Sequence, residues 1–184
     1  MSPILGIIAS SNFQSVTNSY ASIATANGTG SSAVITFSSI PATYTHLQIR
    51  GIGRSTSTGT TISIRANGDT ASNYAFHYIY GDGATAAAAG FATQTSMQIA
   101  YTTSSSSLAD SYGVNVIDIL DYANTNKYKT LRVLTGIDVN GSGGYVQLSS
   151  GLWQSSSAIT SITLTNSTNY TTATQFALYG IKGA

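Results

Sequence analysis

From Tyr20 to Ile181 the chain is spelled in short runs of Ile, Val, Thr and Tyr, broken every few residues by Gly, Asn, Asp and Ser. β-branched and aromatic residues suit a pleated surface, and the breakers supply the backbone conformations that turns need. The runs predict strands at Tyr20–Thr25, Ala33–Phe37, Thr45–Gly53, Thr60–Ala66, Tyr74–Tyr80, Thr95–Tyr101, Gly113–Leu120, Tyr128–Ile137, Tyr145–Trp153, Ile159–Thr165 and Gln175–Ile181. That makes about eleven short strands and no helix.

Alternation with a period of two shows which side of a strand is buried. Leu47 and Ile49 oppose His46, Gln48 and Arg50; Ile62 and Ile64 oppose Ser63 and Arg65; Ile162 and Leu164 oppose Ser161, Thr163 and Thr165. The run Val114–Leu120 is apolar on both sides of the alternation except at Asn115 and Asp118, which predicts a central strand covered on two faces. Asn27-Gly28, Asn67-Gly68-Asp69 and Asn140-Gly141 offer the positive-φ residues of tight turns, and Pro41–Tyr44 reads as a turn between two strands. Strands this short at this spacing predict an all-β fold, an antiparallel β-sandwich with a jelly roll favoured over an immunoglobulin-like order. No repeat of propeller or solenoid length is visible. Gly81–Gly90 and Thr102–Ser107, built from small residues, are expected to be surface loops.

The first residues stand apart. Met1–Ser11 is apolar, yet it lacks a leading cation, is interrupted at Gly6 and is too short to span a bilayer. Residues 1–18 are therefore expected to form either a first strand or an arm that docks Ile4, Leu5, Ile7 and Ile8 on a neighbour, with 19–184 as one sandwich domain.

Charge narrows the partners. Only 7% of residues are charged, seven cations against six anions, while 54 of 184 are Ser or Thr. A net charge of +1 gives no electrostatic reason to expect nucleic acid or an anionic membrane. A surface so poor in charge has little like-charge repulsion and suits the inside of an assembly.

The inventory for catalysis is thin. All six acids are Asp, and no Gly-x-Ser-x-Gly elbow flanks His46 or His77. Asp69 and Asp82 lie in Gly-flanked turns, and Asp118 is the one acid inside an apolar strand, where burial would call for a partner such as Arg132 or a Tyr hydroxyl. With two His, no Cys and no Glu, neither a zinc set nor a calcium loop is expected. Gly141–Gly144 has neither the Lys nor the helix of a phosphate loop. Arg50, Arg54, Arg65, Lys127, Lys129 and Arg132 are too few for a nucleic-acid band, and Lys127 with Lys129 reads as a charged strand edge. No catalytic residue, metal or cofactor is expected.

Aromatics carry more information. Parity puts Tyr74, Phe76, Tyr78 and Tyr80 on one face of a strand, a row too bulky for solvent and expected in the core or an interface; Trp153 is expected in the core.

Several blocks resemble a known family. Pro3–Ser11, Ser39–Arg50, Asn67-Gly68-Asp69-Thr70 followed by Asn73-Tyr74, Val116–Thr130, Ser150-Gly151-Leu152-Trp153 and Phe176–Lys182 are similar to a family of small virion-associated proteins of tailed bacteriophages, labelled tail or structural protein. The resemblance covers nearly the whole chain and implies a virion component, with no catalytic residues to carry over. The expected function is a capsid decoration or cement protein that is not an enzyme. Its expected partners are other virion proteins, the major capsid protein or tail proteins, in a homo-oligomer for which a trimer would fit a local symmetry axis. The rival expectation is a tail fibre, spike or baseplate adhesin that reads host glycan through Tyr and Asn/Asp loops.

Overall fold

The computed structural model describes residues 19–141 and 143–183. They form twelve strands: β1 (Tyr20–Asn27), β2 (Val34–Phe37), β3 (His46–Gly53), β4 (Thr61–Ala66), β5 (Tyr74–Gly81), β6 (Ala86–Gln94), β7 (Met97–Tyr101), β8 (Gly113–Ile119), β9 (Lys129–Ile137), β10 (Tyr145–Trp153), β11 (Ile162–Asn166) and β12 (Gln175–Ile181). An eight-stranded sheet in the order β1-β12-β3-β8-β9-β10-β5-β6 faces a four-stranded sheet in the order β2-β11-β4-β7. Every strand pair is antiparallel, so the fold is an antiparallel β-sandwich.

The core follows from the alternation. The large sheet turns Leu47, Ile49, Ile117, Ile119, Leu131, Val133, Phe176 and Leu178 inward, and the small sheet answers with Ile35, Phe37, Ile62, Ile64, Met97, Ile99, Ile162 and Leu164, all buried. Each such side chain contributes up to about 1.5–3 kcal/mol relative to exposure. Glycine is required where rings cross the sheet. A Cβ on Gly51 would lie 2.2 Å from the ring of fully buried Phe176, and one on Gly180 would meet the ring of Tyr44 at 2.3 Å.

The turns are mixed. Asn67 and Gly68 both adopt positive φ, as do Asn140 and Gly141. Only the second pair closes a hairpin, between β9 and β10; the first leads from β4 in the small sheet to β5 in the large one. Asn27-Gly28 does not supply the expected positive φ, which falls on Gly30 instead. Gly28 is small for another reason, because a Cβ there would sit 2.1 Å from the Thr171 carbonyl oxygen.

Three expectations are corrected. The stretch Gly81–Gly90 is not simply a loop: Ala86–Gln94 is an edge strand, placed by its pairing with β5. Strand β8 is central within its sheet, but among the described residues it is covered on one face only, since Val114 and Leu120 on the other side are half-exposed. Lys129 guards no edge, because β9 lies between β8 and β10 and Lys129 itself is fully buried.

Candidate functional site

The outer face of the eight-stranded sheet is where the chain departs most from an ordinary soluble surface. Register lines Ile79, Leu148, Leu134 and Val116 across β5, β10, β9 and β8. The next row runs Gly81, Val146, Gly136, Val114 and Ile52, ending on β3. Six of these aliphatic side chains, Ile52, Ile79, Val114, Leu134, Val146 and Leu148, are between 42% and 59% exposed. Single exposed apolar residues are common on protein surfaces, but a contiguous field of them is not.

A polar row borders that field. Asp118 on β8 lies opposite Arg132 on β9 and Gln48 on β3. Arg132 donates to Asp118 Oδ2 from Nη2 at 2.7 Å and from Nε at 3.2 Å, and Gln48 Nε2 donates to Oδ1 at 2.6 Å. Arg50, two residues along β3 and opposite Val116, ties this row to the aliphatic field by donating from Nε to Gln48 Oε1 at 2.6 Å. Asp118 thus has the Arg132 partner its sequence context called for, at the surface instead of the core.

The aromatic row of β5 divides into two environments. Tyr74 and Phe76 are buried in the core, and Tyr74 stacks on Trp153 with centroids 6.5 Å apart. Tyr78 and Tyr80 are only partly covered and line a cleft of about 440 Å³ with Tyr101 of β7 and Tyr145 of β10. Thr60, Thr102, Thr103, Ser107, Ile137 and Gly143 complete its wall. The rings of Tyr80 and Tyr145 stack at 5.1 Å, and Tyr101 meets Tyr145 edge-on at 5.2 Å. Burial raises the phenol pKa values of Tyr101 and Tyr145, so both are neutral donors at ordinary pH.

The cleft is fixed from behind. Tyr145 gives its hydroxyl proton to Gln147 Oε1, and Gln147 Nε2 donates to Ser149 Oγ at 2.7 Å, with Gln147 and Ser149 both buried. Asn115 of β8 clamps Tyr101 by its backbone, accepting from its N–H at 3.2 Å and donating to its carbonyl at 2.8 Å. This clamp joins the two sheets beside the cleft. Arg54 holds the loop that carries Ser107: its Nη1 donates to the carbonyls of Leu108 and Ser111, both at 2.9 Å, and its Nη2 to those of Ser107 (3.2 Å) and Ser105 (3.3 Å).

The remaining polar groups make local structure. Asp69 collects the Asn73 amide at 3.0 Å, the Trp153 indole N–H at 2.8 Å and the Ala71 N–H at 2.9 Å, which together hold its carboxyl below the usual range. His46 Nδ1 accepts from the Asp121 backbone N–H at 3.0 Å, which puts the proton of the neutral ring on Nε2. The Asp121 carboxylate pairs with Lys127. The histidine of a Ser–His–Asp triad donates Nδ1–H to its carboxylate, and here Nδ1 of His46 serves as an acceptor. Ser150 lies opposite His77, but the neighbour beyond it in register is Arg132, which takes Asp118. Lys129 Nζ donates to the carbonyls of Lys127 at 2.7 Å and Ser156 at 3.2 Å, and burial lowers its pKa. Among the described residues no three His, Asp or Glu side chains gather where they could hold a metal.

Ile4, Leu5, Ile7 and Ile8 lie outside the described residues. Of the other residues proposed for an interface, Tyr74 and Phe76 are core, while Tyr78 and Tyr80 reach the cleft. The outer aliphatic field was missed at the sequence level because Val114–Leu120 looked covered on both sides. No family model matches the chain, and no significant match to it was found among curated proteins or solved structures.

Proposed function

We propose that this chain is a structural protein of a bacteriophage particle, acting as a capsid decoration or cement protein whose eight-stranded sheet is covered by a neighbouring virion subunit. The aliphatic field of Ile52, Ile79, Val114, Leu134, Val146 and Leu148 carries this reading, because water is a poor partner for so much contiguous apolar surface. A subunit seated there gains the hydrophobic term without needing charge, in keeping with a chain that is 7% charged.

Two further features support assembly. Among the described residues the large sheet ends on β1 and β6, which contain no Asp, Glu, Lys, Arg or Pro, the residues that usually keep an open sheet edge from pairing with other chains. We also read the strand order as a jelly roll with insertions. Setting aside β5, β6, β9 and β10 leaves β1-β12-β3-β8 over β2-β11-β4-β7, the order of two interleaved Greek keys that viral shells and lectins share.

The test is a double variant, Leu134→Lys with Leu148→Lys, offered to particles made without this protein. The isolated variant keeps its melting temperature within a few degrees, since both side chains already face solvent, and it fails to load onto the particles. Loading equal to the unaltered chain would overturn the proposal. Counting copies in particle images separates locations: copies on the scale of the shell lattice fit decoration, and a single ring of copies would place the chain in the tail.

A further inference from the structure

We propose that the cleft between β5, β7 and β10 is a binding site for a neutral oligosaccharide. Three features of its wall select that class. Tyr78, Tyr80, Tyr101 and Tyr145 present partly exposed rings, large apolar surfaces of the kind that pack against the C–H faces of a sugar. Thr60 at the rim offers a hydroxyl that donates or accepts as a sugar hydroxyl requires, and Ser107 Oγ, which accepts from the Ser104 N–H at 3.2 Å, keeps capacity for one further bond. No Asp, Glu, Lys, Arg or His lines the cleft among the described residues, so an anionic sugar, a nucleotide or a phosphate would lose its hydration with no counter-charge to replace it. A purely aliphatic ligand fits less well, because it would strip water from the same hydroxyls without bonding to them.

The site is built before any ligand arrives. Tyr145 is oriented by Gln147, Tyr101 by the backbone clamp of Asn115, and the loop bearing Ser107 by the four carbonyl bonds of Arg54. That buried polar support stands directly behind the rings, with Thr135 Oγ1 donating to Asn115 Oδ1 at 2.8 Å. Fixing rings and wall in advance removes part of the ordering cost that weakens flexible sites. At about 440 Å³ the volume falls within the usual span of small-molecule sites, roughly 300–1,000 Å³. The Tyr78 and Tyr80 hydroxyls lie outside the Tyr145–Gln147–Ser149 chain, and among the described residues they make no hydrogen bond that a sugar oxygen would have to displace.

The experiment is saturation-transfer NMR with titration on the full chain, using maltotriose, cellotriose and triacetylchitotriose as neutral probes and trigalacturonate as the acidic one. At least one neutral probe binds, with transfer to its ring C–H protons, and the acidic probe does not. Tyr80→Ala and Tyr145→Ala each weaken binding by at least about tenfold, and Tyr80→Phe, which keeps the ring, loses less. A melting curve shows that each variant is folded, and Ser107→Ala, on a surface loop, gives a second reading of the wall should an aromatic variant fail to fold. Absence of binding by all three neutral probes, equal binding of trigalacturonate, or binding indifferent to Tyr80, Tyr145 and Ser107 would overturn the proposal. The Leu134→Lys, Leu148→Lys chain keeps its sugar affinity, so failure of the assembly reading and failure of this one are separate outcomes.

Discussion

The indole N–H of Trp153, at the end of β10 in the large sheet, donates to Asp69 Oδ2 at 2.8 Å, in the turn that leaves β4 of the small sheet. Because Trp153 is buried, deleting the acceptor leaves a buried donor without a partner. Asp69→Ala should cost about 1–3 kcal/mol in urea unfolding at neutral pH. The pH dependence has a defined sign. The donors on Asp69 lower its folded pKa below the unfolded value, so its contribution is complete above about pH 5 and is lost as pH falls through the folded pKa. Unfolding free energies at pH 7 and pH 3 should therefore differ less in Asp69→Asn than in the unaltered chain.

Tyrosine burial sets the opposite limb. Tyr74, Tyr101, Tyr122, Tyr145 and Tyr170 all have pKa values raised chiefly by burial, whereas in the unfolded chain they titrate near about 10. A raised folded pKa contributes stability that is complete below the unfolded value and disappears as pH rises beyond it. Stability should thus fall steeply above about pH 10, with phenolate absorbance from these residues rising together with loss of the fold. A smooth, non-cooperative phenolate titration with the fold intact would contradict this.

Arg54 is expected to behave as a loop clasp. Arg54→Ala should lower stability by about 1–2 kcal/mol, near the value of one or two hydrogen bonds to a charged group at a partly exposed site. Arg54→Lys should recover little of it, since an ammonium cannot span four carbonyls as a planar guanidinium does. Amide exchange in residues 104–111 should accelerate in both variants, while β8 and β9 stay protected.

Most of the strand inventory was legible because alternation and burial agree at residues such as Leu47, Ile49, Ile62 and Ile64. β6 was hidden for a physical reason: Ala86–Ala89 has little intrinsic strand preference, and the segment is extended because β5 offers an open ladder, with Phe91 stacking on Phe76 at 4.9 Å. The opposite error arose at β8. Its apolar residues on alternate positions look the same whether the second face meets a layer of its own molecule or remains uncovered, and the sequence cannot tell the two apart.

The cleft was half legible. Parity placed Tyr78 and Tyr80 together, but their meeting with Tyr101 and Tyr145 depends on which strands become neighbours. β10 pairs with β5, and β7 packs under β5 from the other sheet. Arg54 was unreadable for the same reason, since its carbonyl partners lie about fifty positions away.

The row Arg132, Asp118 and Gln48 runs along one border of the aliphatic field, with Arg50 at its corner opposite Val116. Grease alone lets two plates glide; a ratchet tooth along one margin stops them. Any occupant of this sheet must therefore bring its own hydrogen-bonding strip to that margin, and a copy turned end for end in the plane would set aliphatic carbon against a guanidinium.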